Sequence, residues 1–277
     1  MEMKSAIEAF TTLGHPGRLA VFRLLARRAP GSVRPAEMAD ALAIKHSTLS
    51  VYLSALTRAG LVLSERGGKS IYYRIDFAGL SGLTEFLVAD CCRGRPELCA
   101  PMAGCFTNPW IERASEQPLK VLFICRGNSA RSIFAEALLR KFGETRFEAF
   151  SAGTSPKEEI NPHARDVIHK MGHDASSFAP KPLGSFQADD SPELDFVFTV
   201  CDRAANEDQA KWRGQPLTAH WSVPDPASLW QDPQERVNGY MIAYQTLERR
   251  IAGLVDLPIR DMNRLDLQHA LDALGEA

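Results

Sequence analysis

The 277-residue chain has no run of about 18 apolar residues, which excludes a transmembrane helix. Its opening, MEMKSAIEAF, lacks the basic-then-apolar pattern of an export signal, so a cytoplasmic protein with no membrane partner is expected. Internal repeats and low-complexity tracts are absent. With 45% apolar and 24% charged residues, disordered and collagen-like chains are excluded as well. No cysteine lies in the first ninety residues and none follows Cys201. The six that exist are Cys91, Cys92, Cys99, Cys105, Cys125 and Cys201, and the first four crowd into fifteen residues. In a reducing cytosol this crowding points to metalloid binding or thiol chemistry rather than to a disulfide framework.

Charge is scarce in total, −2, but unevenly placed. Residues 1–80 hold 11 Lys/Arg against 6 Asp/Glu, a net +5, and the remainder hold 21 against 28, a net −7. A basic head on an acidic body implies that only the head meets a polyanion. The length suggests about two domains. The clearest break is APMAGCFTNPWIERASEQP at 100–118, with Pro101, Pro109 and Pro118 and no sustained periodicity. Short helical segments and one hairpin signal precede it. Strand-like runs alternating with helices follow it, as in an α/β domain with a parallel sheet. The expected divisions are a head over 1–100, a linker over 101–118, a body over 119–258 and an amphipathic helical tail over 259–277.

In the head, His15-Pro16-Gly17 opens a helix over 18–29, with Leu19, Phe22, Leu25 and Ala26 at helical spacing. Pro35 suits the first position of a short helix, AEMADALA. In KHSTLSVYLSALTRAG, Ser47 reads as an N-cap and Gly60 as a C-terminal stop. Leu49, Leu53 and Leu56 share one face, leaving Thr48, Ser50, Val51, Ser54 and Arg58 pointing elsewhere. Two helices around a tight turn, the second presenting small polar residues, describe a helix-turn-helix that reads a major groove. LVLSE and SIYYRI then flank a glycine turn, a hairpin whose Arg66 and Lys69 suit phosphate contacts. Operator DNA is the expected partner.

GHPGRLAVFRLL, STLSVYLSALTRAGLV and RGGKSIYYRI resemble the ArsR family of metalloregulatory repressors over about residues 5–100. The resemblance implies a homodimeric winged helix-turn-helix repressor, released from its operator by a metal or metalloid. Many members carry a cysteine pair in the first helix of the motif; RPAEMADAL has none. Cys91, Cys92 and Cys99 in FLVADCCRGRPELC stand instead on or after a helix expected at the dimer interface. Three thiolates suit As(III), and Cys105 is an optional fourth ligand should the ion be Zn²⁺.

In the body, the buried-strand run KVLFIC ends at Cys125, followed by Arg126-Gly127-Asn128-Ser129-Ala130-Arg131-Ser132 and the helical segment IFAEALLRKF. A Cys-x5-Arg loop between strand and helix turns successive backbone N–H groups toward one point, a nest for a tetrahedral oxyanion. The helix N-terminus adds positive potential and Arg131 a guanidinium fork. The same field activates Cys125 as a nucleophile, Ser132 donates to its sulfur, and Asn128 braces the loop.

This loop, with SAG at 151–153, DFVFTVCD at 195–202 and HWSVPDP at 220–226, resembles low-molecular-weight tyrosine phosphatases and the arsenate reductases built on the same fold, over about residues 118–258. The resemblance implies a four-stranded parallel sheet flanked by helices, with Asp225 of Asp225-Pro226 protonating the leaving oxygen. The phosphatases usually carry aromatic residues after Asp-Pro; here Ala227 and Ser228 follow. Cys201 closes a strand-like run at the same sheet edge as Cys125, where a second thiol suits a redox step. The third cysteine that thioredoxin-coupled members carry seven residues later is replaced by Asp208. Some members bind potassium near the positions of Asn128, Glu136 and Ser151, but Lys181 stands where a further acidic ligand is expected.

The resulting expectation is an arsenic-responsive repressor fused to an arsenate reductase. It would have no tightly bound cofactor, As(III) as effector, and an external thiol reductant such as glutathione with glutaredoxin, or thioredoxin. The alternatives are a phosphatase fused to a metalloregulator and a non-catalytic oxyanion-binding regulator.

Overall fold

The computed structural model describes residues 1–93, 117–188, 190–207, 212–213, 215–227 and 233–277, with 233–236 described by backbone alone. It falls into two compact units, Met1–Thr107 and Asn108–Ala277. The expected linker lies outside the described residues apart from Gln117 and Pro118, as do Cys99, Cys105, Asp208 and Ser228. Among the described residues no helix is long and apolar enough to cross a membrane.

The head is a winged helix-turn-helix: α1 (Met3–Leu13), α2 (Pro16–Arg28), α3 (Pro35–Leu42), α4 (His46–Arg58), the hairpin β1 (Val62–Gly67) and β2 (Ser70–Ile75), and α5 (Phe77–Glu85). His15 caps α2 by accepting from the Gly17 amide at 3.1 Å, and Pro16 occupies the first turn, where no amide hydrogen is needed. The buried face of α2 is Val21, Leu24, Leu25 and Arg28; of the expected stripe, Leu25 is buried and Phe22 packs against the core, but Ala26 is exposed and Leu19 is 40% exposed. Arg28, on this face, pairs with Glu37 at the start of α3, 2.5 Å away. Ala43 ends α3 in the left-handed region (φ 51), a place where glycine would have marked the turn. The helix that follows starts one residue before Ser47. Lys45 holds the cap position because its extended backbone leaves its carbonyl to the Leu49 amide at 3.0 Å, so Ser47 lies inside α4 rather than capping it. Leu49, Leu53 and Leu56 are buried together. In the wing, Gly67 pairs with Ser70 and the turn between them needs Gly68 at φ +61. Beyond α5, residues Phe86–Cys91 continue as a π-helix.

The body is an α/β unit whose four parallel strands run β4-β3-β5-β6 in space: β3 (Leu119–Cys125), β4 (Phe147–Gly153), β5 (Phe196–Thr199) and β6 (Leu217–His220). Between and after them come α6 (Arg131–Gly143), α7 (Pro162–Lys170), α8 (Asp202–Asn206), α9 (Pro233–Asp256) and α10 (Arg264–Glu276). The strands β3 and β5 are buried almost end to end, as parallel strands covered on both faces must be. Helix α6 packs against α9 and β4. The C-terminal stretch packs back as α10 on β6: the Trp221 indole donates to the Leu271 carbonyl at 2.9 Å and stacks on Phe198 at 4.2 Å.

Two glycines of α5 give opposed predictions. A Cβ at Gly79 would lie 1.7 Å from the Gly60 carbonyl oxygen, a backbone atom that cannot swing aside. Gly79→Ala therefore destabilises the head by about 3 kcal/mol despite alanine's better helix propensity. A Cβ at Gly82 meets only the Met1 side chain at 3.6 Å, so Gly82→Ala stabilises by about 0.5–1 kcal/mol. Hydrogen exchange of the α4 and α5 amides under urea reads both values within the head.

Candidate active site and nucleic-acid interface

The loop from Cys125 to Arg131 leaves the carboxyl end of β3 and enters α6. Its backbone is turned by a neighbouring strip, residues 154–161, that follows β4. The amides of Thr154, Ser155, Lys157 and Asn161 donate to the carbonyls of Cys125, Arg126, Gly127 and Ser129 at 2.8–3.1 Å. With its oxygens held from outside, the loop directs amides inward. The Asn128 amide points at the Cys125 sulfur, 3.2 Å away. Asn128 adopts φ +43, a conformation asparagine tolerates better than most side chains. Ala130 holds the cap position of α6 with no side-chain cap, so the first amides of that helix face the loop.

A buried hydrogen-bond chain holds the Cys125 sulfur from below. The Ser132 hydroxyl lies 3.0 Å from the Cys125 sulfur. The Asn128 side-chain amide already donates to that hydroxyl at 2.8 Å, so the serine's own proton is directed to the sulfur. The second amide hydrogen of Asn128 goes to the Ser151 hydroxyl at 2.8 Å, and Ser151 donates to the Glu136 carboxylate. The Asn128 oxygen accepts from the Lys181 amide at 2.7 Å. Asn128, Ser132, Glu136 and Ser151 are all fully buried. Gly153 completes the cradle. A Cβ there would lie 2.8 Å from the Arg126 carbonyl oxygen and 3.0 Å from the Asn128 amide, which explains the glycine in Ser151-Ala152-Gly153.

Glu136 also pairs with Arg140, and the Lys181 ammonium stands 3.5 Å from the same oxygen, Oε1. The donor set around Asn128, Ser151 and Glu136 thus already contains a fixed cation. It does not fit a potassium ion.

Arg131 donates to the Val223 carbonyl at 2.9 Å and approaches Asp225 at 3.5 Å. Its remaining guanidinium hydrogens are available to an oxyanion. Asp225 accepts from the Ala227 amide at 3.1 Å, and its side chain is 46% exposed at the cleft mouth. Cys201, at the end of the run after β5, is buried, and the bond from the Val200 amide to the Ile124 carbonyl, 2.8 Å, sets that run alongside the end of β3. Burial, followed by the charge of Cys125, pushes its thiol above the ordinary range, while Arg131 partly offsets the rise. Beyond it, His220 bridges Thr199 and Asp202 at 2.8 and 2.9 Å. Cys125, Arg126, Gly127, Ser129, Ala130, Arg131 and Asp225 line one cleft of about 340 Å³. Asn128 and Ser132 lie beneath it.

Sequence reasoning had Gly153 only as part of the SAG motif and missed the strip 154–161, Lys157, Arg203 and Tyr240, the last three lining the same cleft. The strip acts through its backbone, which leaves no side-chain signature. Its only sequence trace is a run rich in turn formers, GTSPKEEIN.

In the head, Ser47, Ser50, Val51, Ser54 and Arg58 are exposed and Thr48 half-buried on α4, and Arg66 and Lys69 are exposed on the wing. Cys91 is an exposed free thiol and Cys92 a half-buried one, at the end of the π-helix. Among the described residues no three metal-ligating side chains cluster; the third expected ligand, Cys99, lies outside them.

Residues 13–65 match the family described as helix-turn-helix domain, and residues 120–266 that described as low molecular weight phosphotyrosine protein phosphatase. The glutaredoxin arsenate reductase of Synechocystis sp. is 30% identical over 107 residues, 39% of this chain and 78% of its own length. The uncharacterized HTH-type transcriptional regulator YbzH of Bacillus subtilis is 34% identical over 93 residues, 29% of this chain and 93% of its own. A solved arsenate reductase from Archaeoglobus fulgidus is 26% identical, covering 50% of this chain and 99% of its own, with a TM-score of 0.40. Because the second of these family matches takes in more than half of the residues, the chain belongs to the low molecular weight phosphotyrosine protein phosphatase family, with a helix-turn-helix domain ahead of the family's α/β body.

Proposed function

We propose that the body reduces arsenate to arsenite and that the head is a homodimeric, arsenic-responsive repressor, so that one cytoplasmic chain makes the ion it senses. The observation that carries the enzymatic half is a pair of buried thiols at one sheet edge: Cys125 and Cys201 end the runs of the neighbouring strands β3 and β5, where the Val200 amide donates to the Ile124 carbonyl at 2.8 Å. Hydrolysis of a phosphate ester needs Cys125 alone; a two-electron reduction uses both.

Arsenate rests on the amides of residues 126–131 and on the free part of the Arg131 fork. The Cys125 thiolate attacks arsenic, and Asp225 passes a proton to the departing oxygen, which leaves as water. Cys201 then attacks the Cys125 sulfur. The sulfur–arsenic electron pair stays on arsenic, arsenite departs, and Cys125 and Cys201 are left as a disulfide. An external thiol reopens it. With no cysteine after Cys201, this favours glutathione with glutaredoxin, or a similar donor, over a three-cysteine thioredoxin relay.

In the head, Ser47, Thr48, Ser50, Val51, Ser54 and Arg58 face the major groove and Arg66 and Lys69 the phosphates. Val51, 66% exposed on a helix otherwise polar on that side, suits a thymine methyl. Cys91, Cys92 and Cys99 bind As(III) and release the operator. A second reading, phosphate-ester hydrolysis by the same cradle, is favoured by the position of Asp225 beside Arg131.

Cys125→Ser lowers arsenate reduction by about 10³-fold or more under every thiol donor, measured as arsenite release; surviving activity rules out this nucleophile. Release of p-nitrophenol from its phosphate far faster than arsenate turnover decides for the second reading. In a single turnover without external thiol, the wild type frees one arsenite per chain and Cys201→Ser frees none. Because the Cys201 thiol is raised and the thiolate is the attacking form, that single turnover accelerates about tenfold per pH unit through neutrality and levels off only above the ordinary thiol range. For the head, arsenite releases the wild type from its operator in an anisotropy titration. The double variant Cys91→Ser/Cys92→Ser stays bound; equal release would remove those cysteines from the sensor.

A further inference from the structure

The cleft over Cys125 is larger and more basic than an oxyanion requires. Its volume of about 340 Å³ falls in the range of roughly 300–1,000 Å³ that holds organic ligands. Besides Arg131, three cations line it: Arg126 from the loop, Lys157 from the strip after β4, and Arg203 from α8. All three are exposed, and none forms an ion pair among the described residues. The one carboxylate in the lining, Asp225, faces Arg131. An arsenate on the amides and Arg131 leaves this outer basic group unsatisfied, with Tyr240 as an aromatic wall beside it.

We infer that Lys157 and Arg203, with Arg126, form a carboxylate-binding subsite that selects the external reductant: a small thiol bearing carboxylates enters the cleft and is held with its sulfur over the Cys125–Cys201 pair. This rests on the reductase reading above. Arg203 starts two residues after Cys201, and Lys157 lies against the loop, its Cγ 3.4 Å from where a Cβ of Gly127 would be. The two cations thus share the cleft with the Cys125 sulfur and reach it from different elements. The chemistry is ordinary thiol–disulfide exchange. One thiolate attacks the Cys125–Cys201 disulfide, forming a mixed disulfide and releasing one protein thiolate. A second thiolate attacks the mixed disulfide, freeing the other cysteine and leaving the reductant as its own disulfide, oxidised by two electrons.

The experiment is a charge series of small thiols driving arsenate reduction by the full-length protein: mercaptosuccinate, mercaptoethanol and cysteamine. Each rate is corrected for thiolate fraction and for its reaction with a free disulfide. The wild type prefers mercaptosuccinate over cysteamine by about tenfold in kcat/KM for thiol, the size two or three partly exposed ion pairs supply. Lys157→Glu/Arg203→Glu abolishes or inverts that ratio, and the milder Lys157→Ala/Arg203→Ala reduces it. A flat charge series in the wild type, or a ratio the variants leave unchanged, overturns the inference. So does a double variant that changes the KM for arsenate and not the thiol ratio, which would make the rim an oxyanion-steering field, and so does turnover supported only by a thioredoxin-class protein. Dithiothreitol separates the two levels of the argument. If it drives arsenate reduction while the charge series is flat, only the subsite falls; if no thiol drives reduction, the reductase reading falls and the subsite with it.

Discussion

A buried carboxylate and a reactive sulfur occupy the two ends of one hydrogen-bonded chain, Glu136–Ser151–Asn128–Ser132–Cys125. Desolvating a carboxylate costs several kcal/mol unless its lone pairs and charge are matched. Here Arg140, Lys181 and Ser151 match them. That matching sets the direction of every proton above it. With Ser151 committed to Glu136, its oxygen is an acceptor for Asn128; with Asn128 committed to two hydroxyls, Ser132 has one proton left, and it goes to sulfur. Asn128 is held in a left-handed conformation because both ends of its side chain are engaged. The reactive loop takes its shape from a polar core beneath it as much as from its own residues.

The second constraint is carbonyl disposal. A loop that points its amides at one spot must hide its oxygens, and solvent alone does not order them. The strip 154–161 does so through four backbone bonds, and Gly153 brings the strip close enough. Gly153 ends β4, the direct neighbour of β3 in the sheet, and the strip follows it. On the other flank, Trp221, packed on Phe198 and tied to α10, anchors the segment that carries Val223 and Asp225 to Arg131. The sheet order therefore brings the cradle, its support and Asp225 to one edge.

Much of this was legible in the residues. Cys125 to Ser132 between an apolar run and a helical segment sufficed to place the loop, because strand, turn and helix each leave a local signal. Pro16 and Pro35 marked helix starts for the same reason. What escaped depended on partners distant in sequence. On α2, apolar periodicity was right to place Leu25 and Phe22 against the core but not Leu19 and Ala26, and it gave no sign of the buried Arg28, which pairs with Glu37. The start of α4 is set by Ala43 in a conformation its side chain does not advertise, and Ser47 offered a better cap than the backbone used. Lys157 and Arg203 read as ordinary surface cations until the fold carried them to the cleft.

Two thiols at one cradle cannot both be anions cheaply. Cys125 has the loop amides, the Ser132 proton and the helix terminus; Cys201 is buried and is pushed up by the charge of Cys125. In the proposed reduction this asymmetry orders the steps. While Cys125 is a thiolate, Cys201 is kept protonated and does not compete for the oxyanion. When Cys125 bonds to arsenic its charge is spent, one cause of the raised Cys201 thiol disappears, and the field of Arg131 remains. The second sulfur thus becomes easier to ionise after the first has reacted.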